Sequence, residues 1–303
     1  MNILITSAGG PAAVGVIKSL RYIGNHNIVA IDCDELAVGF YLSDKYYVVS
    51  RFDEDDFFFE FLEIVEMENI DLILPTGSEI VTISRNIESI SSFGAFAFMS
   101  EFDAIQMCVD KFAFYEKCKD LFSLPKTSLN HEEIGYPFFA KPRFESGGSR
   151  GVKFCQGHYD YRGLDDYEYI YQENLPGEEY TIDVLCDMNS VPLVVIPRKR
   201  LQVKAGISVK GEIVRDELIE RSCSNICSYL NLKGPICIQM KEDENGIRKF
   251  TEINPRFGGG TYFTTLAGVN FCEIIIKLMK TGNANIPNFD TIKVLRYFEE
   301  VVI

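Results

Sequence analysis

Histidine is scarce in this sequence: His26, His131 and His158 are the only three, and none sits in a recognisable acid–base setting. Chemistry that leans on imidazole is therefore not expected. Positive charge is short too, with 30 Lys and Arg against 44 Asp and Glu and a net charge of −14. That balance fits neither a nucleic-acid partner nor an anionic membrane surface. No apolar run approaches a membrane span, and the opening Met1–Ser7 has neither the basic start nor the cleavage pattern of a secretory signal. The nine cysteines are scattered and odd in number, with no CxxC pair or Cys/His cluster. Reduced thiols in a cytoplasmic protein are the expectation. Only Cys223 and Cys227 lie close, at helical i, i+4 spacing, and core packing accounts for them better than a metal does.

What is present is a chain of 303 residues, 47% hydrophobic, enough for about two domains with substantial cores. The first hundred residues alternate short apolar runs with helical patterns. Asn2–Thr6, Ile28–Asp32, Tyr46–Val49, Leu72–Leu74 and Phe93–Met99 read as strands. Helices are expected after Pro11, over 53–68 (with Phe57, Phe58, Phe61, Leu62 and Val65 on one face) and after Gly77. Such alternation predicts a parallel sheet with crossover helices. The texture changes near Asp103. Helical segments at 101–108 and 110–122 precede strands at Phe138–Pro142, Val152–Cys155, Tyr169–Glu173, Tyr180–Cys186 and Val191–Pro197. A helix is expected over 212–230, strands over Pro235–Lys241 and Lys249–Asn254, and helix over 261–280. Short connections between neighbouring strands predict an antiparallel or mixed sheet.

Four segments of this second part carry chemistry. Lys141 leaves an apolar strand, where it offers a point charge for phosphate, and the following Ser146-Gly147-Gly148-Ser149 can bring backbone N–H groups close to phosphate oxygens. A surface hairpin turn explains those glycines equally well. Glu173-Asn174-Leu175, ahead of Pro176-Gly177 and Glu179, forms a polar hinge at a strand end where a flat base can be read by backbone groups; an ordinary strand–turn–strand is the competing reading. Most specific is Glu252-Ile253-Asn254-Pro255-Arg256-Phe257-Gly258-Gly259-Gly260. Strand alternation puts Glu252 and Asn254 on one face. Two oxygen donors there suit magnesium, Gln239 on the preceding strand can add a third, and Arg256 offers a planar fork for phosphate or carboxylate. A structural Glu–Arg ion pair at the strand end is the competing reading, but it leaves the Asn-Pro-Arg-x-Gly-Gly run unexplained. The fourth segment is Asp110-Lys111, a helix cap followed by a cation. Beside these lies a basic run, Arg198, Lys199, Arg200 and Lys204, unusual in so acidic a chain. It is either a site for a carboxylate substrate or a solvated strand edge.

Together these segments resemble the ATP-grasp superfamily, in its carbamoyl-phosphate-synthetase large-subunit-like and carboxylate–amine ligase branch. The resemblance covers roughly residues 105–280. It implies an α/β N-terminal domain (pre-ATP-grasp, Rossmann-like parallel sheet) over 1–105, then an α+β ATP-grasp domain over 106–303 with a mobile lid at about 124–176. It further implies ATP and magnesium, with manganese an alternative ion. Lys111 and Lys141 would face the phosphates, residues 146–151 would form the lid loop, and Glu173, Asn174 and Leu175 would read adenine, with Glu179 on the ribose. Glu252, Asn254 and Gln239 would hold the metal, and Arg256 would steady the transferred group, with Lys141 and Arg200 beside it in catalysis. Arg198, Arg200 and Lys204, with Gly9 and Gly10 at the N-terminal sheet edge, are the candidates for substrate contacts. The sequence lacks the extra C-terminal domain of the larger carboxylases, so no biotin or bicarbonate role carries over. The expected activity joins a small-molecule carboxylate to an amine through an acyl phosphate, in a cytoplasmic protein, with a homodimer the commonest assembly.

Two other classes compete. Gly9-Gly10 and Gly15 follow a strand and Asp32 ends the next, as in a nicotinamide-dependent oxidoreductase, although the spacing is not GxGxxG. A non-catalytic ATP-binding regulator is the third reading.

Overall fold

The computed structural model describes residues 1–24, 26–144, 151–161, 163–164 and 168–303. In chain order it begins β1 (Asn2–Ile5), α1 (Pro11–Ile23), β2 (Asn27–Asp32), β3 (Lys45–Val48), α2 (Phe57–Met67), β4 (Leu72–Leu74), α3 (Ile80–Arg85), α4 (Ile87–Ser92) and β5 (Phe96–Ala97). The five strands form a parallel sheet of order β3-β2-β1-β4-β5. Ile3, Leu4 and Ile5 are all fully buried, because helices cover both faces of a parallel sheet. The face expected of α2 packs inward: Phe57, Phe61 and Val65 are buried, with Phe58 and Leu62 partly so. β5 is shorter than the expected 93–99 strand because Gly94, at φ +80°, turns the chain just before it.

The chain continues through α5 (Phe102–Val109), α6 (Lys111–Cys118), β6 (Thr127–Ser128), β7 (Phe138–Pro142), β8 (Lys153–Cys155) and β9 (Tyr169–Glu173). β6 to β9 make an antiparallel sheet of order β6-β9-β7-β8. Then come β10 (Glu179–Cys186), β11 (Pro192–Lys204), β12 (Ile207–Ile213), α7 (Glu217–Tyr229), β13 (Gly234–Glu242), β14 (Arg248–Asn254), α8 (Thr261–Leu266), α9 (Phe271–Thr281) and β15 (Lys293–Leu295). These strands form a second antiparallel sheet of order β14-β13-β10-β11-β12-β15.

Three expectations are corrected here. β11 runs seven residues past Pro197 and folds back as β12 through Ala205 and Gly206, both at positive φ (+49° and +75°), the conformation a two-residue hairpin turn needs. Residues 212–213 therefore finish a strand, 214–216 are a short connection, and α7 starts only at Glu217, where Asp216 caps the amides of Leu218 and Ile219. The helix expected over 261–280 is two helices. Gly268, at φ +100°, breaks it and Asn270 caps α9.

Alternation divides the six-stranded sheet. Ile182, Val184, Ile236, Ile238 and Ile253 face α7, where Ile219, Cys223, Ile226 and Cys227 close the core. Both cysteines are thus packing residues, and burial pushes the Cys223 thiol up. On the other face Leu185, Ile196 and Ile213 join a core with Val16 and Ile17 of α1, Phe263 of α8 and Ile275 of α9. Polar contacts pin this junction: the Ser19 and Thr265 hydroxyls lie 2.8 Å apart, and Asn270 Nδ2 donates to the Ser19 carbonyl at 2.8 Å. Among the described residues no helix is long and apolar enough to cross a membrane.

Candidate active site

Further along the same face the sheet turns polar. There it looks across a cavity of about 270 Å³ at the four-stranded sheet. Phe139, Lys141 and Gln172 line it from β7 and β9; Glu179, Arg200, Gln239, Lys241 and Glu252 line it from β10, β11, β13 and β14. Lys141 Nζ donates to Gln172 Oε1 at 2.6 Å, and Gln172 Nε2 donates to Thr127 Oγ1 at 3.1 Å, so the ammonium is aimed by a two-step relay. Burial pushes the Lys141 ammonium down to about 8, against the pull of Glu252, and nearby Lys111 lowers it further. Lys111 opens α6, and its Nζ donates to the Pro142 carbonyl at 3.0 Å. The helix start is fixed to the strand. Asp110 caps the amides of Phe112 and Ala113 while taking a paired contact from Arg143 at 2.8 and 2.7 Å. Burial alone would raise the Asp110 carboxyl, but Arg143 and the helix amides hold it below its usual range.

At the cavity's inner end Gln239 and Glu252 are direct cross-strand partners, and Asn254 follows on the same face of β14. Glu252 and Lys111 also line a small adjoining recess with Asn254 and Arg256. Arg256 Nη2 donates to Asn254 Oδ1 at 3.3 Å and Nη1 to the Phe257 carbonyl at 3.0 Å. Among the described residues no three His, Cys, Asp or Glu side chains gather to hold a metal unaided. One carboxylate and two amides are a donor set that fits magnesium when phosphate oxygens and water complete its shell.

The outer end is the hinge. Glu173 Oε1 accepts from the Lys126 amide at 3.0 Å and from Lys249 Nζ at 2.6 Å, tying β9 to β14. Leu175 is buried and Asn174 half-buried behind it. Gly177 passes so close to β13 that a Cβ there would lie 2.6 Å from Glu242 Cβ. Glu179 pairs with Arg200, which also donates to the Gly206 carbonyl at 2.6 Å.

The structure thus brings Lys111, Lys141, Glu173, Leu175, Glu179, Arg200, Gln239 and Glu252 onto one cavity, with Asn254 and Arg256 in its recess. Ser146, Gly147, Gly148 and Ser149 lie outside the described residues. The basic run is split by strand alternation. Arg200 sits in the cavity; Lys199 points the other way to Glu178; Lys204 is exposed near the ring of Phe298; and Arg198 is buried at 1% exposure, 3.7 Å from Asp183. Gly9 and Gly10 turn the chain at the C-terminal edge of β1, where Gly9 N donates to Asp32 Oδ2 at 2.7 Å. Asp32 is thereby committed to the neighbouring β1–α1 turn, with its other oxygen taken by the Asp34 amide at 2.9 Å, which counts against a nicotinamide ribose there. Residues the sequence reading passed over include Lys241, two positions beyond Gln239 on the same strand face, which alternation could have flagged. Buried Glu79 is another. It gathers the Thr6 and Ser7 hydroxyls and the Gly77 amide where β1 and β4 end side by side.

A family model described as ATP-grasp in the biosynthetic pathway with Ter operon matches residues 166–301. Over that segment the chain is similar to the ATP-grasp superfamily. A PylC-like N-terminal-domain model matches residues 3–95. Among curated relatives, the carbamoyl phosphate synthase large chain of Clostridium botulinum is 24% identical over 90% of the chain, which spans only 28% of that relative's length. The D-alanine–D-alanine ligase of Petrotoga mobilis is 33% identical over 30% of the chain and 35% of its own. Two solved structures share the fold. Biotin carboxylase from Campylobacter jejuni superposes with TM-score 0.72 at 15% identity, covering 95% of this chain and 72% of that one. N5-carboxyaminoimidazole synthetase from Staphylococcus aureus, complexed with ADP, gives TM-score 0.72 at 17% identity, covering 95% and 78%. Neither the oxidoreductase nor the regulator alternative finds support among these matches.

Proposed function

We propose that this chain is an ATP-grasp ligase that uses ATP and magnesium to activate a substrate carboxylate as an acyl phosphate, releases ADP and phosphate, and joins the acyl group to an amine. The observation that carries the reading is the meeting of Lys111, Lys141, Gln239 and Glu252 in one cavity, with the Asn254–Arg256 recess at its end. ATP supplies the phosphoryl group, and magnesium supplies positive charge beside it. Gln239, Glu252 and Asn254 would hold the ion, and manganese suits the same donors. Lys111 and Lys141 neutralise phosphate oxygens, and Arg256 offers its fork to the group in transfer. The backbone of 173–175, with Leu175 and Val203 as apolar walls, receives the base, and the Glu179–Arg200 pair faces the ribose. Residues 124–176 act as the lid over the cavity and exclude water from the activated acid. The N-terminal unit, 1–105, presents the Gly9–Gly10 turn to the second substrate, and 106–303 carry the chemistry.

The D-alanine–D-alanine ligase relative joins two amino acids, by its name, which favours small-molecule acids and amines here as well. All nine cysteines are free and all but Cys33 buried, in keeping with a cytoplasmic location. A homodimer is the base-rate assembly. The test is a screen of paired acids and amines for nucleotide turnover, with mass spectrometry of products. Release of ADP and phosphate supports the acyl phosphate, whereas AMP and pyrophosphate would replace it with adenylate chemistry.

A further inference from the structure

Arg198 has no counterpart in the mechanism above, and its surroundings are unusual. The side chain is 1% exposed, yet its Nε and Nη1 have no hydrogen-bond partner among the described residues. Asp183, its one charge partner among the described residues at 3.7 Å, is itself buried and is engaged by the hydroxyls of Thr264 at 2.7 Å and Thr261 at 3.3 Å. A second guanidinium joins it. Arg296 follows β15, its amide donates to the Val209 carbonyl at 2.9 Å, and its Nη2 donates to the Gly259 carbonyl. Both guanidiniums lie over one ring, Phe263, at 5.2 Å for Arg198 and 5.0 Å for Arg296. Among the described residues Asp183 is the one carboxylate whose charge is set against both of these buried or half-buried cations, in a chain whose net charge is −14. Burial and the repulsion of Arg198 push Arg296 down, against the pull of Asp183.

The surrounding glycines are cut to this arrangement. A Cβ on Gly260 would fall 2.2 Å from Arg198 Nη2, one on Gly258 would fall 2.6 Å from Cys237 Sγ and 3.1 Å from Asp183 Oδ1, and one on Gly211 would crowd both Arg198 and Phe263 at 3.2 Å. Gly259, which accepts from Arg296, lies against Pro11, the residue after the Gly9–Gly10 turn. The cationic pair thus borders the junction between the C-terminal edge of the parallel sheet and the segment that begins at Arg256.

We propose that half-buried Arg296 receives a carboxylate of a substrate, with buried Arg198 behind it as a positioning residue that supplies the uncompensated charge. Calling the ligand a substrate rests on the ligase reading; the anion site itself does not. The carboxylate has two sources, the acid to be activated or an amino acid serving as the amine, and the experiment separates them.

Thermal unfolding of the full-length protein is followed with acetate, succinate, glycine and glutamate at constant ionic strength, with acetamide and glycinamide as uncharged counterparts. At least one carboxylate should stabilise the protein saturably while its amide counterpart does not. Binding by acids that lack an amine assigns the site to the acid, and binding by amino acids alone assigns it to the acceptor; either supports the site. Arg296→Met should weaken that carboxylate about tenfold or more, leave affinity for MgATP within about twofold, and be partly rescued by Arg296→Lys. Should the Met variant not fold, Arg296→Lys carries the test, since a point charge without a fork must still bind more weakly than arginine. Failure of every carboxylate, wild-type affinity in the variant, or an equal loss of MgATP overturns the proposal. A wild-type protein that binds a carboxylate through Arg296 but not MgATP would instead sink the ligase reading and leave the site standing.

Discussion

Lys141 is the residue whose chemistry is easiest to read from solution behaviour. Its ammonium sits at about 8, so near neutral pH it is charged and above that it is not. A bound phosphate favours the charged form. Affinity for MgATP should therefore fall as pH rises through about 8, by up to about tenfold per unit, and Lys141→Met should bind weakly with no such pH dependence. Calorimetric titration from about pH 7 to about pH 9.5 decides it. Glu252 is the one carboxylate among the proposed metal donors. Glu252→Ala should cost more metal affinity than the roughly 10–100-fold typical of outer-shell partners, and turnover with it. Full activity in that variant would remove the metal assignment. Asp110 answers to stability. Losing the cap and the Arg143 contacts together, Asp110→Ala should lower unfolding free energy by about 1–2 kcal/mol in urea titrations.

Among the elements, the strands that carry the proposed metal donors were the legible ones. β14 and β13 announce themselves by alternation, and Glu252, Asn254 and Gln239 share a face because period-2 geometry leaves no choice. The β11–β12 hairpin was not legible. Its turn is Ala205-Gly206, not one of the Asn-Gly type, and its basic residues hide the pattern of a strand. β15 is three residues at a sheet edge, too short to show any period. Arg198 was legible as a candidate but not as a buried group. The partners that bury it, Gly260, Phe263 and Arg296, lie more than sixty positions along the chain, and only the fold brings them together. The hinge gives the prediction proper to this scale. Gly177→Ala places a Cβ 2.9 Å from the Glu242 carbonyl oxygen, so it should destabilise by about 1–3 kcal/mol and weaken nucleotide binding by shifting the 173–175 backbone. Wild-type affinity for a fluorescent ATP analogue would show that the hinge does not need that close approach.

On the scale of the whole molecule, the cavity lies between two sheets that meet through the Glu173–Lys249 pair, while the Asp110–Arg143 pair ties the start of α6 to the end of β7. The proposed lid would tilt about these two anchors. A non-hydrolysable MgATP analogue should slow amide exchange in β7 and β9 by about tenfold or more relative to the nucleotide-free protein, with little change in β1 and β4. Uniform exchange with and without nucleotide would argue for a rigid cleft.

α1 is built into two partners at once, since it covers the parallel sheet and also packs against α8 and α9, where Ser19 meets Thr265 and Asn270. An engineer wishing to graft a foreign front end onto the second half of this chain would need to transplant that helix–helix seam as well. A swap cut cleanly between the sheets would leave matching greasy faces stranded on both pieces, and inclusion bodies would be the predictable harvest.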